Sequence, residues 1–184
     1  AVNGKWMDAP GQDLFRTIQH HLGDVPIIAE DLGVITPDVE ALRDGFHLPG
    51  MKILQFAFDS AEENDFLPHN YTHNCIVYTG THDNETVKGW FANAKPEDKH
   101  FALEYVHGTV KTIHWDMIRT AWSSVADTAI APMQDFLGAG NNARMNLPGS
   151  TANNWQWRMK GSDLTEALAK KIADITVLYA RAAK

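Results

Sequence analysis

Two stretches place carboxylates where chemistry is commonly done. In VPIIAEDLGVITPDV, residues 25–39, a run of apolar residues ends on adjacent acids, Glu30 and Asp31, followed at once by Leu-Gly. A partly buried acid at the end of a strand costs desolvation energy, and such positions concentrate at functional sites. Beside apolar neighbours the Glu30 carboxyl would hold a proton near neutral pH, which a general acid requires. An acid that merely caps nearby backbone N–H groups accounts for the same spacing, and both readings stand. In YTGTHDNET, residues 78–86, Gly80 permits a tight approach, His82 and Asp83 offer a donor and an anion, and Asn84 can read a hydroxyl. A carboxylate in such a cluster can accept hydrogen bonds from two vicinal hydroxyls, as on a sugar ring. Helix capping by Asp83 or Asn84 is the alternative there.

Other chemistries find less support. His69 and His73 lie four apart in LPHNYTHNC, but Pro68, Asn70 and Asn74 make that segment a loop, and no third ligand is evident. The sequence therefore predicts no metal site. Cys75 opens an apolar run and reads as a small core residue. There is no Gly-x-Ser-x-Gly elbow for a serine hydrolase, and neither GxGxxG nor GxxxxGK[ST] for a nucleotide. In NNWQWR, residues 153–158, Trp155 and Trp157 could stack on sugar rings, but core packing is the favoured reading.

The elements that must position these residues follow a repeating order. Four apolar runs close on acids: Val25–Glu30, Met51–Asp59, Cys75–Asp83 and Thr128–Asp135. Their β-branched content and near-continuous apolar character predict buried parallel strands. Helices fall around and between them. One runs from Pro10-Gly11 through His21 and is closed by Gly23. Another starts at Thr36-Pro37-Asp38, with Thr36 as N-cap, and ends near Gly45. A third begins at Lys95-Pro96-Glu97 and reaches about Val106, a fourth covers Trp115–Val125, and a final one, capped by Ser162 or Thr165, runs toward Arg181. This α/β order fits an open doubly wound sheet or part of a (β/α)8 barrel. Polar residues at the C-terminal end of every run favour the barrel, whose active site sits on that rim. A whole barrel needs eight strand–helix units and typically about 250 residues, and the four units here make about half of one.

Composition bounds the partners. The chain has 184 residues, 44% of them hydrophobic, with six Trp and eight Phe, enough for one domain with a real core across residues 1–184. A formal net charge of −7 argues against nucleic acid as the main partner. No run approaches the length of a membrane span, so no membrane partner is expected. One cysteine excludes an internal disulfide and favours the cytoplasm.

Taken in order, IIAEDLGVITPDVEALRD, LPGMKILQFAFD, LPHNY, VYTGTHDNET, MQDFLG, RMNLPG and NWQWR closely resemble the amylomaltases. These are the 4-α-glucanotransferases, or disproportionating enzymes, and the resemblance covers nearly the whole chain. It implies a (β/α)8 catalytic barrel, of which this chain is the C-terminal portion carrying about strands five to eight. It assigns the general acid/base to Glu30 and transition-state stabilisation through the sugar hydroxyls to Asp83. His82, Phe56 and Asn146 become substrate contacts. The family's nucleophilic Asp belongs to an Arg-x-Asp-His-like motif that residues 1–184 lack, so the resemblance places it upstream. The implied reaction is a retaining double displacement on maltooligosaccharides and other α-1,4-glucans such as starch, glycogen and maltodextrin, with transfer to the 4-OH of an acceptor glucan or glucose. It needs no cofactor. A related α-glucan hydrolase and a non-catalytic carbohydrate-binding fragment remain the alternatives. Half a barrel leaves strand edges and apolar faces uncovered, which predicts self-association.

Overall fold

Proline and short, punctuated apolar runs set the lengths of the strands. In the computed structural model, which describes residues 3–5, 7–59 and 64–182, the strands are β1 (Gly50–Ile53), β2 (Cys75–Tyr78) and β3 (Thr128–Ile130). They form one sheet in the order β1-β2-β3. β2 and β3 are parallel, with Ile76 opposite Thr128, Val77 opposite Ala129 and Tyr78 opposite Ile130. The Thr79 N–H continues that ladder to the Ile130 carbonyl at 3.3 Å. The chain is α/β with a small parallel sheet, and each strand is shorter than the run that contains it. After Ile53 the second run turns into a 3₁₀ segment, Leu54–Phe58, whose Leu54, Gln55, Ala57 and Phe58 are buried.

The first run is not a strand. Residues 25–30 take no regular secondary structure: Pro26 has no N–H to give, and the backbone bond that Ala29 donates to the Pro49 carbonyl at 2.9 Å does not make a ladder. The helices are α1 (Gly11–Leu22), α2 (Pro37–Gly45), α3 (Val87–Asn93), α4 (Pro96–Tyr105), α5 (Ile113–Ser123), α6 (Met133–Phe136) and α7 (Glu166–Leu178). Gly23 closes α1 at a φ of 71°, with its N–H on the Gln19 carbonyl. Thr36 stands at the N-cap of α2 without a side-chain cap bond. Thr165, rather than Ser162, caps α7 by accepting the Leu168 N–H at 3.1 Å. The short helices α3 and α6 carry too few residues to show a periodic pattern, and the sequence reading does not contain them.

The chain divides into two compact units, residues 1–51 and 52–184. In the first, the Phe15 and Phe46 rings pack 5.2 Å apart. The second holds the main core, in which Phe58 is surrounded by Trp90, Phe101 and Tyr105 at centroid distances of 5.7–5.9 Å. Val77, Val87, Ile113, Met117 and Ile118 are fully enclosed around it. The buried Cys75 thiol reaches the Thr72 carbonyl at 3.1 Å. Arg181 locks the chain's end to that core, donating to the carbonyls of Trp122, Ala126 and Ser124 at 2.7–2.9 Å. These are carbonyls that the end of α5 and the turn after it leave without helical partners. No described helix is long and apolar enough to cross a membrane.

Candidate active site

The loop that follows β2 carries His82 and Asp83, and its shape is built from its own polar residues. Asn84 closes a turn, its N–H on the Thr81 carbonyl, while its side-chain oxygen accepts from both the N–H and the hydroxyl of Thr81 at 2.8 Å. Gly80 leaves room for the Gln55 side-chain amide, which a β-carbon there would push aside. That amide in turn donates to the Glu85 carbonyl at 2.9 Å. Thr86 then caps α3 through the Gly89 N–H at 3.1 Å. Capping in this segment therefore falls to Thr86, and Asp83 is left available for another use.

A second loop, after α6, is stitched to the first. The Asn146 N–H donates to the His82 carbonyl at 3.1 Å, and its side-chain amide donates to Asp83 Oδ1 at 2.6 Å. Arg144 donates to the Asp83 carbonyl at 2.6 Å and to the Asn146 carbonyl at 2.8 Å. His82 Nε2 lies 3.3 Å from the same Asp83 Oδ1. One carboxylate oxygen is thus held by protein donors, while Oδ2 has no protein partner among the described residues. The side chain is 49% exposed. Such a carboxylate is oriented and still open to a ligand's hydroxyls.

Trp155 overturns the core expectation. It is 53% exposed and its ring lies 5.0 Å from the His82 ring at a 39° tilt, and Trp157 is only half-buried. Trp155 also takes a φ of 62°, which is uncommon for a bulky residue. Its N–H on the Met145 carbonyl at 2.7 Å holds it there. Strained backbone of this kind is often retained where a side chain must be aimed. Together with His82, Thr81, Glu85, Arg144 and Met145, it lines a cavity of about 210 Å³.

Asp135 also lines that cavity and is only 1% exposed. Burial pushes its carboxyl up from the usual 3.8 to about 6, although hydrogen bonds from Thr79 and Val87 act in the opposite sense. Sequence reasoning did not single it out as functional. The signal was its place at the end of the fourth apolar run, the same strand-end rule that pointed to Glu30. Arg144 and Glu85 were likewise unmarked, because neither shows its contacts in local spacing.

Glu30 lies in the first unit and is exposed, not lodged among apolar neighbours as the apolar run before it suggests. The strand expected to shield it does not form. Its backbone is nevertheless pinned on both sides, by the Ala29 N–H on the Pro49 carbonyl and by Asp31. Asp31 pairs with Arg43 at 2.5 Å and accepts the Met51 N–H at 2.7 Å. Gly50 leaves the space that this carboxylate fills. Asp31 is therefore an anchor, with its side chain only 8% exposed. Hydrogen bonding to Asp44 and Asp31 drives the Arg43 guanidinium further above its already high range. Phe56 is not among the cavity-lining residues. It is 36% exposed, meets Phe66 edge-on at 5.5 Å, and its carbonyl accepts from Asn64 at 3.1 Å. His69 Nδ1 sits 3.0 Å from the Tyr105 hydroxyl, and His73 lies 4.0 Å from Asp127, so the two histidines have separate neighbours.

Parallel strands whose C-terminal loops gather a carboxylate, an imidazole, amides and an indole define an α/β protein with a rim site suited to a polyhydroxylated ligand. Comparison with known proteins supplies the family. The chain belongs to glycoside hydrolase family 77, the 4-alpha-glucanotransferases, whose family model matches residues 1–165. A 4-alpha-glucanotransferase of Synechocystis sp. is 53% identical over 98% of this chain and 36% of its own length. The chloroplastic/amyloplastic 4-alpha-glucanotransferase of Solanum tuberosum is 48% identical, over 98% of this chain and 32% of its own length. An amylomaltase from Streptococcus agalactiae, solved in complex with acarbose, superposes with a TM-score of 0.93 at 44% identity, covering 98% of this chain and 37% of that one. The chain spans about a third of the length of the curated relatives it matches.

Proposed function

We propose that this chain is the C-terminal part of a 4-α-glucanotransferase barrel, carrying about strands five to eight within the single domain 1–184, and that it supplies part of the sugar-binding rim. The observation that carries this reading is Asp83, with one carboxylate oxygen fixed by Asn146 and the other open beside His82 and Trp155. In the reaction, Glu30 protonates the departing glycosidic oxygen while an aspartate elsewhere in the parent enzyme attacks the anomeric carbon. Glu30, then ionised, takes the proton from the 4-OH of an incoming α-1,4-glucan instead of from water. Retention requires that acid and nucleophile stand about 5–5.5 Å apart. Asp83 binds ring hydroxyls more tightly as the sugar distorts, which lowers the barrier without lowering the ground state. Asn146 acts mainly by orienting Asp83, His82 and Trp155 form one wall for the sugar, and Phe56 offers an exposed ring further along the substrate.

None of these steps calls for a metal or an organic cofactor. The compartment we propose is the cytoplasm, which the single cysteine favours, whereas the potato relative is named for plastids. The isolated chain would self-associate through β1 and β3, the edge strands of its sheet, and gel filtration reads this directly. The decisive test is Glu30→Gln in the full-length enzyme. Disproportionation of maltotriose should fall by about 10³-fold or more. The isolated 184-residue chain should show no transfer. Near-normal transfer by Glu30→Gln, or transfer by the chain alone, would reject the assignment, and free glucose without transfer products would favour the hydrolase reading.

A further inference from the structure

The loop that bears His82 and Asp83 follows Thr79, the first residue past β2, and enters α3 at Val87, and a single carboxylate holds both ends. Asp135 Oδ2 accepts the Thr79 hydroxyl at 2.6 Å, and Asp135 Oδ1 accepts the Val87 N–H at 2.8 Å. Thr79, Val87 and Asp135 are all buried, so neither bond competes with bulk water. We propose that Asp135 is a positioning residue that clamps the two ends of the 80–86 loop and so sets where Asp83 stands beside the cavity-lining His82. The inference rests on the sugar-transfer role proposed above for Asp83.

A simpler role, that of a plain helix cap, does not account for the arrangement. Thr86 already caps α3 through the Gly89 N–H, so Asp135 serves a different donor, two residues earlier in the same first turn. A cap would also have no need of Thr79, which lies at the other end of the loop and on a different element. Burying a carboxylate costs free energy, and these two bonds do not fully offset it, since the carboxyl titrates near 6. A group kept at a net cost, on the wall of the same cavity as His82, belongs with function more than with stability. The bonds between Thr81 and Asn84 inside the loop, and the one that Gln55 donates to the Glu85 carbonyl from outside it, shape the loop but do not tie residue 79 to residue 87.

The test uses the full-length enzyme with Asp135→Ala and Asp135→Asn, read by maltotriose disproportionation and by amide hydrogen exchange across residues 80–87. Asp135→Ala cuts both arms, and a shift of about 1 Å in Asp83 should lower kcat by about 10²-fold. Exchange in the loop should quicken while β2 stays protected. Asp135→Asn can still accept from Val87 and donate to the Thr79 hydroxyl, so it should recover at least about tenfold of the lost kcat and most of the protection. A folded Asp135→Ala enzyme with kcat within about threefold of the parent, or alanine and asparagine variants alike in both readouts, would overturn the clamp. Should Asp135→Ala fail to fold, Thr79→Val cuts one arm alone, and unchanged loop exchange in that variant overturns it equally. If the parent enzyme transfers no glucan, the proposed function fails on its own, and loop exchange alone decides the clamp.

Discussion

Replacing Asp135 with asparagine removes one titration and nearly nothing else, so the pH dependence of stability isolates what its burial costs. The carboxyl moves from the usual 3.8 to about 6 in the folded protein, chiefly through burial, at 1% exposure. At roughly 1.4 kcal/mol per pH unit, the difference between 6 and 3.8 corresponds to about 3 kcal/mol. The sign follows from proton binding. Between 3.8 and 6 the folded chain holds a proton that the unfolded chain has released, so folding is favoured at the acid end. The advantage is complete below about 3.8 and is lost as pH rises through about 6. Urea denaturation of the wild type and of Asp135→Asn, from pH 4 to pH 8, supplies the difference curve, in which every other titrating group cancels to first order. Relative to the variant, the wild type should lose about 2.4 kcal/mol between pH 4 and pH 7 and then level off. A difference curve flat to within about 0.5 kcal/mol across that range would show that Asp135 is not desolvated as its position implies.

Four further outcomes follow from particular contacts. Trp155→Ala, which removes the exposed ring beside His82, should raise KM for maltotriose by about tenfold with a smaller change in kcat. Gly89→Ala puts a β-carbon onto the Asn141 side chain, which donates to Glu85, so it should destabilise by about 1–3 kcal/mol in urea melts despite alanine's better helix propensity. Arg43→Ala leaves the Asp31 carboxylate without its partner and should cost about 2–3 kcal/mol, with residues 29–31 gaining hydrogen exchange. Arg181→Ala abandons three carbonyls around the end of α5 and should lower stability by about 2 kcal/mol, measured by thermal or urea unfolding.

The turn that carries His82 and Asp83 was more legible in the sequence than the strands that flank it. His82, Asp83 and Asn84 stand in one short motif, because a turn closed by its own polar side chains is written locally in Gly, Thr and Asn. The parallel sheet and its register are not local, since Ile76 opposite Thr128 depends on everything folded between them. Apolar content located three of the four strands but overstated their lengths, because the same residues also fill 3₁₀ turns such as Leu54–Phe58. It misread residues 25–30, where Pro26 and the missing ladder outweigh β-branched content. Trp155 was read as core because indole is mostly apolar. What decided its exposure was a positive φ and a bond to Met145, neither of which has a composition signature.

Asp135 and Asp83 show where the boundary lies. Both are acids that follow a strand by a few residues, and a motif could single out only the one whose neighbours are also polar. Asp135 sits in PMQDF among residues that look like ordinary packing, and its partners are 56 and 48 positions away. A carboxylate that will touch a ligand shares its loop with other polar groups, because that loop must face solvent. One that holds the loop from behind must be buried, so its own neighbours are apolar and its partners distant. The positioning residues of a site are therefore the ones a linear reading passes over, and three-dimensional contacts are needed to find them.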